Sequence, residues 1–181
     1  PGEIPILETR AKPRPPAPLP TERYYEEEGR AELTPRDFGI LMHRVFENAA
    51  TTDEIYTAIE AMTQDGVLDE KEAPRLRELV EKALADPVTA EWFGGRWQVV
   101  RNENEIILPG SGTTRRPDRV MTDGERAVVV DYKFGDRETA RHRKQIREYL
   151  RLLRQMGYTR TEGYLWYVRL GRTERVEEKE D

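Results

Sequence analysis

The sequence predicts an α/β fold, in which a mixed central sheet is flanked by helices and preceded by an N-terminal helical segment. Three observations carry this expectation. Apolar residues recur at helical spacing from Phe38 to about Ala85. The pattern then changes to short strand-like runs between Trp97 and Asp131. A long amphipathic helix follows, and after it one further strand.

The chain has 181 residues, 36% charged and 36% hydrophobic, which suffices for one domain with a tail. Residues 1–20 hold seven of the twelve prolines. Pro13, Pro15, Pro16, Pro18 and Pro20 oppose both helix and sheet, so residues 1–33 read as a Pro-rich flexible linker. The first residue is Pro1 rather than Met, and the chain is expected to be a fragment of a longer protein. Residues 34–171 are expected to form the folded domain, with 172–181 as a charged tail or an edge strand.

Thr34-Pro35 is a helix-start signal, and Phe38, Leu41, Met42, Val45, Phe46 and Ala49 form the stripe that follows it. A second helix opens at Asp53 and runs through Met62. A third covers about Pro74 to Ala85, and Asp86-Pro87 begins a short segment ending at Gly94-Gly95. Trp97, Val99 and Glu105–Leu108 read as strand, and Pro109–Gly112 as a turn. Two strands, Arg116–Met121 and Arg126–Asp131, are joined by the hairpin signal Thr122-Asp123-Gly124. Ala127–Val130 is apolar without alternation, as in a strand covered on both faces. The long helix is expected from about Glu138 to Met156 with Gly157 as its cap, and the last strand from Gly163 to Leu170.

The chain contains no cysteine, which excludes a disulfide scaffold, a thiolate zinc site, a cysteine-ligated iron–sulfur cluster and a cysteine nucleophile. No apolar run approaches the length of about 18 residues that a membrane helix needs, and the N-terminus has no signal-peptide core. The net charge of −5 excludes a uniformly basic nucleic-acid binder. The charge is unevenly spread: from Arg115 to Arg160, 13 Lys/Arg stand against 7 Asp/Glu, a local +6. Arg137, Arg141, Arg143, Lys144, Arg147, Arg151 and Arg154 surround the polar face of the long helix. They could track a phosphate backbone, or form a solvated face that balances the acidic helical half.

Asp118 lies on one predicted strand, and Asp131 and Lys133 end the next. Residues i and i+2 of a strand project from one face, so Asp131 and Lys133 would point together, with Asp118 near them across the hairpin. Two carboxylates suit a hard divalent cation such as Mg²⁺, which can polarise a phosphoryl oxygen and acidify water. An ammonium beside them can orient that water or stabilise phosphate charge. The plain alternative is a set of solvated ion pairs, Asp118 with Arg116 or Arg119 and Asp131 with Lys133.

The run Arg116-Pro117-Asp118-Arg119-Val120, with Asp131-Tyr132-Lys133 thirteen residues after Asp118, resembles the PD-(D/E)XK nuclease core. Gln145-Ile146-Arg147-Glu148-Tyr149 matches the Q-x-x-x-Y of the RecB-like branch, and His43 matches its upstream histidine. Gly163–Val168 is similar to the corresponding strand in nuclease domains at the C-termini of UvrD/Rep-type helicases, and the likeness spans roughly residues 36–170.

The resemblance implies a restriction-endonuclease-like fold over residues 34–171 and a Mg²⁺-dependent deoxyribonuclease, with Mn²⁺ as a substitute metal. It implies His43, Asp118 and Asp131 as metal ligands and Lys133 as the catalytic lysine. Glu103 would be a further acidic site residue, with Glu105 as the alternative for that position. Gln145 and Tyr149 would border the DNA, with Arg141, Lys144 and Arg147 nearby on the basic helix. Tyr149 also fits the apolar core stripe, and the two roles are compatible. The implied partners are single-stranded DNA and an upstream superfamily 1 helicase motor in the same polypeptide. The implied setting is the bacterial cytoplasm, in DNA repair and recombination. The motor is not in this chain, since no G-x-x-x-x-G-K-[ST] occurs. The competing expectation is a noncatalytic DNA-docking or protein-interaction module that keeps the nuclease fold. His142 has no counterpart in the resemblance and reads as a surface residue.

Overall fold

The computed structural model describes residues 32–102, 106–107, 114–134 and 140–178. Residues 1–31, the turn 109–112, Glu103, Glu105 and Arg137 therefore lie outside the described residues. Four helices come first: α1 (Pro35–Asn48), α2 (Thr52–Gln64), α3 (Glu72–Ala83) and α4 (Pro87–Trp92). The strands β1 (Val99–Asn102), β2 (Ile106–Ile107), β3 (Thr114–Arg115), β4 (Arg119–Asp123) and β5 (Arg126–Lys133) follow. Then come α5 (Ala140–Gln155), β6 (Arg160–Tyr167) and β7 (Arg172–Arg175). Among the described residues no helix is long and apolar enough to cross a membrane.

The start of α1 is fixed as its sequence suggests. The Thr34 hydroxyl accepts from the Asp37 N–H, and the Asp37 carboxylate accepts from the Thr34 N–H at 2.8 Å, a capping box with Pro35 in the first turn. Asp86 caps α4 by accepting from the Val88 N–H at 2.8 Å.

The main sheet has the order β1-β4-β5-β6-β7 and is mixed. β4 pairs antiparallel with β1 and with β5, β5 runs parallel to β6, and β7 closes the far edge antiparallel to β6. The parallel pair requires a crossover, and α5 supplies it. β2 and β3 form a separate two-stranded sheet. β5 is central, and its residues 127–132 are all buried, because both faces of the sheet are covered. Val128, Val130 and Tyr132 pack with Met121, Trp166 and the helices α1–α4. Ala127 and Val129 pack with Val120, Leu165 and the inner face of α5, where Ile146, Tyr149, Leu150 and Leu153 lie. The period-2 alternation of β5 thus sorts its side chains between two cores.

Several boundaries differ from the sequence expectation. β4 begins at Arg119, not Arg116, because Pro117 has no N–H to give a ladder. β6 begins at Arg160 and ends at Tyr167, and Val168–Leu170 turn as a 3-10 helix into Gly171, whose φ of 56° admits the reversal. Residues 172–175 form an edge strand.

Two interactions lock the layers. Arg119 is fully buried and leaves the sheet on the α1–α4 side. Its guanidinium donates to the carbonyls of Ala49, Ala50 and Trp92, each at 2.7 Å, and to Asn102 Oδ1 at 3.1 Å. It also stacks over Phe93 with 4.0 Å to the ring centroid. One side chain thereby satisfies the carbonyls at the C-terminal ends of α1 and α4. On the other face, α5 lies directly on Gly163 of β6. A β-carbon at Gly163 would come within 2.4 Å of Ile146 Cγ2 and 3.2 Å of both Leu150 methyls.

Gly163→Ala should lower the unfolding free energy by about 1–3 kcal/mol through overpacking, measured as a fall in the urea midpoint at unchanged slope. Arg119→Met should cost at least about 3 kcal/mol, since each buried acceptor stranded without its donor costs about 1–3 kcal/mol; thermal unfolding checks this.

Candidate active site

The site forms where β4 begins and β5 ends. Arg119 pairs with Val130, and the same antiparallel register places Asp118 across from Asp131. With no β4 ladder at this point, the Asp118 carboxylate takes over as acceptor: its Oδ2 receives the Tyr132 N–H at 2.5 Å. Asp131 and Lys133 share the α5 face of β5, the face of Ala127 and Val129. The Asp131 side chain is 5% exposed and that of Lys133 21% exposed, and Lys133 Nζ meets Asp131 Oδ2 as an ion pair. Asp131 Oδ2 is buried, and the Lys133 ammonium is its partner.

Two acids and one ammonium in partial burial perturb one another. Burial pushes the Asp118 carboxyl up to about 8, and the charge of Asp131 adds to the rise. The Tyr132 N–H and the Lys133 ammonium pull it back down by less. Asp118 in the metal-free protein is therefore substantially protonated at neutral pH. Burial raises the Tyr132 phenol and lowers Arg119. Tyr132 Oη and Arg119 Nε are both buried without a hydrogen-bond partner, although each acts electrostatically on the other.

The structure thus brings Asp118, Asp131 and Lys133 together. It places Gln145 and Tyr149 on α5 over the same face of the sheet, with Gln145 Nε2 donating to Tyr149 Oη at 2.8 Å. Tyr149 is 1% exposed and belongs to the core. Arg141 and Lys144 are exposed, whereas Arg147 donates from Nε to the Glu177 carbonyl at 3.2 Å. Part of the basic face is internal fastening: Arg143 pairs with Glu174, and Arg154 with Glu178 at 2.8 Å.

His43 is placed elsewhere. It lies on α1, which covers the opposite face of the sheet, and its ring stands 5.2 Å from Phe134 and 6.4 Å from Tyr132 between centroids. Its Nδ1 is 3.3 Å from Glu47 Oε2. Among the described residues no three of His, Asp and Glu are close enough to hold a metal ion between them. Glu103, and its alternative Glu105, lie outside the described residues.

Two residues escaped the sequence reading. Arg119 is a buried structural hub and not an ordinary ion-pair partner of Asp118. His142 is not a surface residue: it is half-buried, its Nδ1 is buried without a hydrogen-bond partner, and Lys133 and Asp131 both act on it electrostatically. Burial first, then the Lys133 ammonium, lowers the His142 pKa. The signal for His142 was its spacing, three residues before Gln145 and seven before Tyr149, which puts all three along one helix face.

A divalent cation suits this donor set. Asp131 Oδ2 is buried with only the mobile Lys133 ammonium on it, burial and the Asp131 charge raise the Asp118 carboxyl so that a nearby positive charge favours its ionised form, and both offer hard oxygens. Mg²⁺ is commonly bound by one or two carboxylates with water and substrate oxygens completing its shell, so the pair is sufficient.

The raised Asp118 pKa has a definite sign for stability. The folded metal-free protein keeps a proton on Asp118 that the unfolded chain releases near pH 4, so its stability falls as pH rises from about 4 to about 8. Asp118→Asn should flatten this dependence, as thermal unfolding across that pH range in EDTA would show.

The family model described as the PD-(D/E)XK nuclease superfamily matches residues 20–181. A search of the curated proteins found no match. Members of this superfamily are generally metal-dependent nucleases, and a mixed sheet with helices on both faces is consistent with their restriction-endonuclease-like fold. That match takes in the segment from Pro117 just before β4 to Lys133 at the end of β5, and the chain belongs to the PD-(D/E)XK nuclease superfamily.

Proposed function

We propose that this chain is a Mg²⁺-dependent deoxyribonuclease domain of the RecB-like branch, with Mn²⁺ as a substitute metal. The observation that carries this reading is the juxtaposition of Asp118, Asp131 and Lys133 at the adjoining ends of β4 and β5, with Asp131 Oδ2 buried under the lysine. Asp118 and Asp131 would hold the ion. Bound there, a divalent cation supplies polarisation of a phosphoryl oxygen and activation of water for attack on a backbone phosphate.

The chain's own residues set the geometry. The Tyr132 N–H fixes the Asp118 carboxylate, while β5 aims Asp131 and Lys133 from one face. Lys133 orients the attacking water or neutralises charge on the scissile phosphate. The resemblance alone makes His43 a third candidate ligand, since its ring packs on Phe134 from the α1 side of the sheet. To ligate, it would exchange Glu47 for the ion. Exposed Arg141 and Lys144 would meet phosphates flanking the cut, and Gln145 with Tyr149 would border the strand.

Support for the RecB-like branch comes from Gln145 and Tyr149 at Q-x-x-x-Y spacing and from His43 upstream. A linked superfamily 1 helicase that feeds single-stranded DNA during repair or recombination is the corresponding partner. The competing reading, a noncatalytic docking module, predicts DNA binding without metal-dependent cleavage.

The full chain, incubated with labelled single-stranded DNA and Mg²⁺ or Mn²⁺, should cleave it. Lys133→Ala should slow cleavage on the order of 10²–10³-fold, as loss of a charge-stabilising donor does, and Asp131→Ala at least as much. Lys82→Ala on the exposed side of α3 should cleave as the parent does. Binding that persists with cleavage absent in the parent chain would favour the docking module.

A further inference from the structure

We infer that His142 is a positioning residue for Lys133: its imidazole Nδ1 accepts a hydrogen bond from the lysine ammonium once a divalent ion engages Asp131. This rests on the metal site proposed above and assigns work to a residue that site does not yet use.

Three observations converge on the imidazole. His142 lies on α5 one turn before Gln145, along the face that covers the Asp131–Lys133 side of β5. It is half-buried, and its Nδ1 is buried with no hydrogen-bond partner. An unsatisfied nitrogen in the interior is costly and calls for a reason. Lys133 and Asp131 both exert an electrostatic effect on the ring, as do its helix neighbours Arg141 and Arg143. Arg143 pairs with Glu174 and Arg141 is exposed, so Lys133 is the cation on the sheet side of the ring.

The Lys133 ammonium carries three donors, and its ion-pair partner is Asp131 Oδ2. That oxygen is the one a cation would claim. A cation there also repels the ammonium, which must find another acceptor or swing out of the site. His142 Nδ1 is a buried acceptor without a hydrogen-bond partner on the helix that covers this face. An imidazole nitrogen carries no charge to compete for the metal's place, so it can hold the lysine without neutralising it.

The test exploits the two histidines of the chain. ¹⁵N-histidine spectra of the full chain, assigned with His43→Gln, are recorded as Mg²⁺ alone is added, and ¹³C signals of the aspartate carboxyls report metal binding separately. The His142 Nδ1 signal should move upfield on metal addition in the parent chain and stay in place in Lys133→Met and Lys133→Gln. A shift of equal size in the lysine variants would mean direct ligation and overturn the inference. Aspartate signals that respond while Nδ1 does not would overturn it and leave the metal site standing. No response from either would remove both. In cleavage assays His142→Ala should reduce kcat about 10–100-fold, the usual loss when a partner of a site residue is removed, with KM unchanged. His142→Asn, whose amide oxygen can replace Nδ1 as acceptor, should recover most of it. A His142→Ala chain with parental kcat would also overturn the assignment.

Discussion

The buried guanidinium of Arg119 is the constraint on which the arrangement of layers depends. A charge withdrawn from water is tolerable only when its donors are satisfied, and Arg119 donates to four oxygens. Three of them are helix-end carbonyls from α1 and α4, segments far apart in sequence. The residue therefore ties the helical half to the first residue of β4. Because Asp118 is its neighbour in the chain, the same anchor fixes where the first carboxylate must stand. Alternation does the rest: Arg119 goes to one side of the sheet and Asp118 is left to the other.

The electrostatics of the acidic pair follow from that placement. Two carboxylates meet across a hairpin, one of them supported by a backbone N–H and the other by a lysine. Burial and the Asp131 charge outweigh the Tyr132 N–H and the lysine at Asp118, so its carboxyl is held well above the ordinary carboxylate range. The fold has thus assembled a locally unfavourable charge arrangement, two buried carboxylates sharing one lysine. Uncompensated features of this kind concentrate at functional sites.

Much of this was legible in the residues. The apolar run Ala127–Val130 announced a strand buried on both sides, Thr34-Pro35 and Asp86-Pro87 announced helix starts, and the i, i+2 relation of Asp131 and Lys133 announced a shared face. What could not be read was which face each helix would choose. The sequence places His43 on an apolar stripe, but only packing decides that α1 lies with Tyr132 rather than with Asp131. Arg119 was illegible for a related reason. An arginine beside an aspartate looks like a surface ion pair, and its partners are carbonyls whose residue types leave no mark on a side-chain pattern. His142 was legible in principle from its spacing to Gln145, yet a single imidazole near four basic residues gives no hint of its burial.

The last described residues deserve a separate reading. β7 and the segment after it fasten α5 through Glu174, Glu178 and the Glu177 carbonyl. A polypeptide emerges from the ribosome N-terminus first, so the aspartates and lysine appear well before the acidic strap that seats their covering helix. The site would therefore gain its fastened cover only after the strap has been made. A chain cut short after β6 would carry every signature residue and still lack the fastening that holds them under α5.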